Sequence, residues 1–442
     1  MKKNDEFVVT IDDVGFNMEG IAHIDGQTIF VPFVIPGEKV KVHVINTKSK
    51  NPICKAVEII EASKGRVEPL CPYFTKCGGC DCQHISYPKQ LELKHAMIST
   101  TLSKMLGNIQ VNPLVASSNY RYRNKMALPI VESGNETQIG MYRVGSHKII
   151  PLKDCIISKD FVSNVIKATE SYITKYNIKG YNESDCSGSL RHVVARVISD
   201  EILVTLVSTT KDLPDIEYYV KQLQKYFDKV NVNINVNNKN TNVIFGDKFF
   251  SVYGNDYIKT SSNGIKYQIS SLSFMQVNDE IREAIYKYVL DSVSTSDNVV
   301  DAYSGAGLLT AMLSTKCKNA YGIEIIEPAV KNADELVKLN SLDNVTNILG
   351  DCAVELPKLL KTLHGKTTLV LDPPRKGCSE KVLNAILSTS GIGNIAYVSC
   401  NPATLARDLK ILSQKYKILS IQPFDMFPNT KHVETVAMLE LK

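Results

Sequence analysis

No apolar run in this 442-residue chain approaches the length of a membrane-spanning helix, about 20 residues, so a helical membrane protein is excluded. The polar opening Met1-Lys2-Lys3-Asn4-Asp5-Glu6 lacks the apolar core of an export signal. Internal repeats and low-complexity linkers are also missing, which removes solenoid and disordered architectures. A strong charge of one sign is absent. The net +5 permits a clustered basic surface without demanding nucleic acid. Eleven cysteines, an odd number without an export signal, argue against a disulfide framework and for the reducing cytoplasm. There the thiols are free, catalytic or metal-bound. What is present, 44% hydrophobic and 22% charged residues, suffices for the cores of a soluble protein of two or three domains.

The patterning divides the chain into residues 1–62, 63–272 and 273–442. From Phe7 to Ile60, short apolar–polar alternations with glycine-bearing turns predict a small β-barrel. Pro88 opens a predicted helix with Leu91, Ile98, Leu102 and Met105 on its apolar stripe. The following stretch is mixed and strand-rich, with a strand pair turning at Asp200-Glu201 and an asparagine-rich strand or hairpin over 230–244. After Ser273, strand candidates ending at Asp301, Glu324, Gly350, Asp372 and Cys400 alternate with helical patterns. That alternation predicts an α/β fold with a doubly wound parallel sheet, closed by an antiparallel final strand at its edge.

Cys71, Cys77 and Cys80 stand in C-x5-C-x2-C spacing, with Gly78 and Gly79 allowing the backbone to wrap closely. Soft thiolates in this number imply zinc or an iron–sulfur cluster, and the staggered spacing does not favour zinc. Cys82 would crowd Cys80, so the fourth ligand comes from elsewhere, with Cys155 and Cys186 as candidates.

Ligands of a doubly wound sheet lie beyond the carboxyl ends of its strands. Asp301 to Gly307 is a glycine loop at such an end, and Glu324 follows Gly307 by 17 residues, suiting a ribose-hydroxyl partner. The loop has no third glycine and there is no lysine-bearing phosphate loop, which favours a nucleoside without a phosphate chain, S-adenosylmethionine. Asp351 and Asp372 at further strand ends strengthen the site; alone, each could be a solvated turn or helix cap. Cys400 lies between an apolar strand and a helix start in which Asn401 suits the N-cap and Pro402 the first turn. The positive helix end is expected to favour its thiolate, a nucleophile.

These residues resemble the RNA 5-methyluridine methyltransferases over nearly the whole chain. The resemblance rests on Cys71-x5-Cys77-x2-Cys80 with Gln83-His84-Ile85, then Phe274-Met275-Gln276-Val277-Asn278 and Asp301-x-Tyr303-x-Gly305-x-Gly307. It continues through Asp372-Pro373-Pro374-Arg375, Ser399-Cys400-Asn401-Pro402 and His432-Val433-Glu434. It implies an N-terminal TRAM barrel that binds RNA, a central domain holding a [4Fe-4S] cluster and a class I, Rossmann-like methyltransferase domain. It also implies Cys155 as fourth cluster ligand, Gln276, Tyr303, Glu324, Asp351 and Asp372 in the cofactor pocket, Cys400 as nucleophile and Glu434 as base. The family often has cysteine at the position of Ser304. Bacterial members with barrel and cluster mostly act on 23S ribosomal RNA, and relatives modify the tRNA T-loop. A monomer without membrane contact is expected.

The implied chemistry is attack of Cys400 on uracil C6, methylation at C5, and removal of the C5 proton. His432 competes with Glu434 as the base. Asp372 is a candidate for the uracil edge, and Phe274 for stacking on the ring. The target base must be flipped out, and Asn119 to Lys125, with interleaved aromatics and cations, could contact RNA. Three rivals are an amino methyltransferase, which has no use for Cys400, a radical enzyme, whose C-x3-C-x2-C cradle is absent, and a non-catalytic RNA-binding iron–sulfur sensor.

Overall fold

The computed structural model describes residues 1–47, 51–134 and 136–442. The first six strands are β1 (Glu6–Thr10), β2 (Asp13–Val14), β3 (Gly20–Ile24), β4 (Gln27–Val31), β5 (Lys39–Asn46) and β6 (Ile53–Glu61). They form one sheet in the order β1-β5-β6-β4-β3-β2. Val9, Ala22, Ile29, Val31, Val40, Val42 and Val44, from four of these strands, share a single core, so the sheet curls around its own apolar face. Period-two alternation supplies that face.

Helix α1 (Tyr87–Leu106) buries Leu93, Met97, Ile98 and Leu102, whereas Met105 is exposed. The predicted stripe is therefore rotated: Gln90 and Lys94 lie on the buried face and find polar partners there. Met97, Ile98 and Leu102 join the core of the C-terminal sheet.

The middle of the chain contains β7 (Lys125–Ser133), β8 (Glu136–Tyr142), β9 (Ile149–Pro151), α2 (Phe161–Tyr176), β10 (Leu190–Ile198), β11 (Glu201–Ser208), α3 (Ile216–Leu223), β12 (Lys229–Val236) and β13 (Lys248–Tyr253). Its seven-stranded sheet has the order β13-β12-β11-β10-β7-β8-β9. The first part of the asparagine tract is the buried strand β12, one of the two expected forms, and 237–244 lie outside any strand. Asn231 donates to Glu201 and Asn235 to the carbonyls of Gly246 and Lys248, so these two buried side chains are satisfied, whereas the Asn233 Oδ1 has no hydrogen-bond partner among the described residues. The hairpin β14 (Tyr257–Ser262) and β15 (Ile265–Ser270) packs Ile265, Tyr267 and Ile269 against Leu308, Met312 and Leu336 of the C-terminal unit.

That unit comprises α4 (Asp279–Ser292), β16 (Ser296–Ala302), α5 (Leu308–Leu313), β17 (Cys317–Glu324), α6 (Glu327–Leu339), β18 (Val345–Leu349), α7 (Cys352–Leu360), β19 (Thr367–Leu371), α8 (Glu380–Ser388), β20 (Ile392–Ser399), α9 (Pro402–Leu412), β21 (Tyr416–Phe424) and β22 (Glu434–Leu441). The sheet order is β18-β17-β16-β19-β20-β22-β21. β16 to β20 pair in parallel, and β22 is antiparallel to both its neighbours. The final strand is thus inserted beside β20 and β21 takes the edge, contrary to the expectation of a final edge strand. Insertion buries Val436, Ala437 and Leu439 on both faces, which an edge would leave half open. Strand order reverses between β16 and β19, the switch point where such sheets bind ligands.

Candidate active site

A cavity of about 1000 Å³ opens at the carboxyl ends of the parallel strands. Gln276, Tyr303, Glu324, Asp351, Asp372, Cys400 and Glu434 all line it. The seven residues selected from sequence for cofactor and catalysis therefore converge on one space, though they span almost 160 positions.

In the half beside β16 and β17, the Glu324 carboxylate accepts hydrogen bonds from the Gly305 amide at 3.0 Å and the Ile326 amide at 2.9 Å. Two backbone donors thus fix its orientation at the mouth of the glycine loop. Gly307 has φ +77°, and a Cβ there would stand 2.8 Å from Ala333 Cβ, so glycine is required for both conformation and helix approach. Asp351 caps α7 by accepting from the Ala353 amide at 2.8 Å while still facing the cavity. Tyr303 adopts φ +74° and its hydroxyl reaches Cys352 and Cys378. Behind the loop, burial lifts Asp301 to about 6, opposed by a 2.6 Å hydrogen bond from Thr310.

The other half is set by strand register. Ser399 pairs with Thr435 across β20 and β22, so the next step brings Cys400 alongside Glu434. Asn401 and Thr404 donate to the Arg375 carbonyl, Arg407 to that of Lys376, and the Cys378 amide donates to buried Asp408 at 2.8 Å. Helix α9 therefore ties the Asp372–Arg375 loop to the element that carries Cys400.

The electrostatics correct one expectation. Cys400 is not poised as a thiolate: burial, then Glu434 and Asp372, push it up to about 11, against the opposing pull of Arg375. Asn401 caps α9 with its own side-chain oxygen on the Ala403 amide, so that donor is already used. Glu434, only 4% exposed, is held well above the ordinary glutamate range by burial and by Asp372. Asp372 is also shifted upward by its enclosure and Asp301, although its carboxyl faces the open cavity, where water moderates the effect. His432 lines the same cavity, and burial with Arg375 and Lys431 lowers its pKa, weakening it as a base. Phe274 projects at the rim, 77% exposed. Arg375, quoted in a motif without a role, proves to be the cation acting on Cys400, Glu434 and His432 together.

Cys71, Cys77, Cys80 and Cys155 also lie within electrostatic reach of one another, Cys155 being a neighbour that acts on each of the first three. Cys186 is exposed and does not feature in the electrostatic surroundings of Cys71, Cys77 or Cys80. Amides of Tyr73 and Phe74 point at Cys71 and that of Gly79 at Cys77. Among the described residues, no three His, Cys, Asp or Glu side chains converge closely enough to hold a single metal ion. The expected RNA-contacting run over 119–125 is largely structural. Arg121 is paired with Asp154 and Asp160, Tyr122 is buried with its hydroxyl on the Pro428 carbonyl, and Lys125 donates to the Ser271 carbonyl.

Comparison with known proteins agrees with this arrangement. Residues 86–442 match the tRNA (Uracil-5-)-methyltransferase family and residues 2–51 match the TRAM domain. An uncharacterized RNA methyltransferase of Clostridium acetobutylicum is 38% identical over 100% of this chain and 98% of its own length. One from Halalkalibacterium halodurans is likewise 38% identical, with the same coverage. The crystal structure of Pyrococcus abyssi tRNA (uracil-54, C5)-methyltransferase in complex with S-adenosyl-L-homocysteine superposes with a TM-score of 0.80. It is 28% identical, covering 98% of this chain and 99% of that one. With a TRAM barrel, a class I methyltransferase sheet and a cysteine–glutamate pair at its switch-point cavity, the chain belongs to the tRNA (Uracil-5-)-methyltransferase family of RNA methyltransferases.

Proposed function

We propose that the protein methylates C5 of a uridine in 23S ribosomal RNA, with Cys400 as nucleophile and Glu434 as base. The observation that carries this reading is the juxtaposition of Cys400 and Glu434 across β20 and β22, inside the same cavity as Glu324 and Asp372. An amine-methylating enzyme has no need for a sulfur there.

Uracil C5 is too weak a nucleophile to take a methyl group unaided. Cys400 first gives up its thiol proton to solvent; addition of the resulting thiolate to C6 then pushes the C5–C6 π electron pair toward C5 and leaves an enolate across C4 and O4. S-adenosylmethionine, when bound, supplies the methyl group that C5 accepts; Gln276, Tyr303, Glu324, Asp351 and Asp372 would hold it. Glu434 then takes the C5 proton, the electron pair restores the C5–C6 double bond, and the C6–S bond breaks to release Cys400. A carboxyl with a raised pKa is a stronger base than an ordinary one, which suits this step. In the free protein Cys400 is kept as a thiol. Arg375, whose charge opposes that, is the group in reach to favour the thiolate once RNA is seated. Asp372 bonds the uracil edge and Phe274 stacks on the ring in this reading, supported by their place in the lining of the cavity.

Four thiols within electrostatic reach of one another, with backbone amides directed at Cys71 and Cys77, suit a [4Fe-4S] cluster, whose ligand sulfurs stand farther apart than those around one ion. Cys71, Cys77, Cys80 and Cys155 would hold it, and its place outside the catalytic cavity suits a structural role. A second reading, methylation of the tRNA T-loop, is favoured by the likeness to a tRNA uracil-54 enzyme. Unmodified transcripts of 23S rRNA and tRNA, incubated with enzyme and S-adenosylmethionine, separate the two when 5-methyluridine is mapped by nuclease digestion and mass spectrometry. Methylation of neither, or methylation that survives Cys400→Ala, refutes the proposal.

A further inference from the structure

The connection from β21 to β22 runs from Asp425 to Val433, ends at Glu434 and contributes Phe427 and His432 to the cavity. Such a connection is usually an exposed loop. Here Asp425, Met426, Asn429, Thr430 and Val433 are buried, and the polar atoms are held from three separate parts of the chain.

Asn429 is the meeting point. Its amide donates to Gln90 Oε1 at 3.0 Å, and its Oδ1 accepts from Gln90 Nε2 at 3.1 Å. Its Nδ2 donates to the Asn119 carbonyl. Its own carbonyl accepts from the Asp81 and Cys82 amides, each at 3.0 Å. Asp81 reaches back to accept from the Lys431 amide at 3.2 Å. Asn429 sits at φ +65°, a left-handed conformation that asparagine and glycine tolerate best, and it does not line the cavity. Gln90 meanwhile bonds the carbonyls of Cys82 and Ile85, so the same amide grips both the cysteine loop and the base-bearing connection.

We infer that Asn429, clamped between Gln90 and the cysteine loop at 80–82, is the positioning residue that aims Glu434 at the C5 proton. The inference rests on the proposed roles of Cys400 and Glu434. It makes elimination, and not methyl transfer, the step that depends on the clamp: Cys400 is positioned by β20 and α9, to which Asn429 makes no hydrogen bond among the described residues, whereas Glu434 begins the strand that follows Asn429. When the clamp is loosened, Cys400 still adds to C6 and C5 still gains its methyl. The C5 proton then lacks its acceptor, and the C6–S bond persists.

The test uses full-length enzyme, unmodified 23S rRNA and tRNA transcripts, and S-adenosylmethionine labelled in its methyl group. Asn429→Gly keeps the backbone conformation and removes the side chain, and Gln90→Ala removes the opposing amide. Denaturing gels count labelled RNA still attached to protein, and single turnovers measure methyl incorporation. Expected for both variants is incorporation within about twofold of the parent, with release of methylated RNA slowed on the order of 100-fold, the cost of misplacing a catalytic group by about 1 Å. A denaturation-stable methylated adduct then accumulates. Incorporation and release falling together, or neither changing, overturns the inference. Glu434→Gln is run alongside: if it gives no adduct, the reading of Glu434 as base fails and the inference with it. An adduct with Glu434→Gln and none with Asn429→Gly or Gln90→Ala defeats the inference alone.

Discussion

Replacing Lys94 by methionine removes a cation with no exposed side-chain surface from a carboxylate that has none either. Lys94 Nζ stands 2.6 Å from Asp425 Oδ1 and 3.2 Å from the Phe427 carbonyl, so both bonds tie α1 to the connection that leads to Glu434. The second oxygen of Asp425 is buried without a hydrogen-bond partner among the described residues, so Lys94 is the main compensation for that charge. Removing one partner of a buried pair costs about 3–5 kcal/mol, because the survivor keeps its desolvation penalty and loses its attraction. Lys94→Met is therefore expected to lower the urea midpoint by that amount divided by an unchanged m-value. The double variant Lys94→Met/Asp425→Leu, which leaves no charge behind, should regain most of the loss. Equilibrium urea titrations of the four proteins in this cycle give the coupling directly. A Lys94→Met loss below about 1 kcal/mol, the scale of an exposed pair, would refute the argument. So would a double variant no more stable than the single one.

Three further outcomes follow from the same geometry. Because the pKa of Glu434 is raised in the folded protein, the folded state holds a proton that the unfolded chain has lost between the ordinary value of 4.5 and the raised one. Stability from that proton is complete below 4.5 and disappears as pH rises through the raised value, so the Tm advantage of Glu434→Gln should grow with pH across this window. A constant difference from pH 4 upward would contradict it. Cys400, pushed up to about 11, should react slowly with iodoacetamide at neutral pH and faster as pH approaches that value. Peptide mapping of the alkylated site tests this, and Arg375→Ala should slow it further. For the proposed cluster, Cys155→Ser should abolish iron uptake on anaerobic reconstitution while Cys186→Ser leaves it unchanged; equal iron in both would remove Cys155 from the ligand set, and none in the parent would remove the cluster.

The catalytic unit was the more legible part of the sequence, because a doubly wound sheet brings successive strand ends to one side. Strand-end residues such as Tyr303, Glu324 and Asp372, far apart in the chain, therefore had to be neighbours. The pairing of Cys400 with Glu434 was less legible, since it depends on β22 entering beside β20, and short apolar strands do not announce their neighbours. The stripe of α1 is legible at Ile98 and Leu102, which are buried, but not at Met105, which is exposed. Gln90 and Lys94 read as solvent-facing until their partners at 425–429 are known. The run over 119–125 carries the composition of an RNA-binding surface, but Arg121 is engaged in ion pairs with Asp154 and Asp160. The sequence shows the helix end beside Cys400, but not the burial and the two nearby carboxyls that outweigh its influence on the thiol.

RNA carrying 5-fluorouridine tests the covalent step most directly, because fluorine at C5 cannot leave as a proton and elimination is blocked. Incubated with S-adenosylmethionine and a substrate whose uridine form is methylated, the enzyme should form an adduct that survives denaturation. Digestion and mass spectrometry should then place the nucleotide on the peptide containing Cys400. No adduct with such a substrate, or one located on another cysteine, would contradict the account.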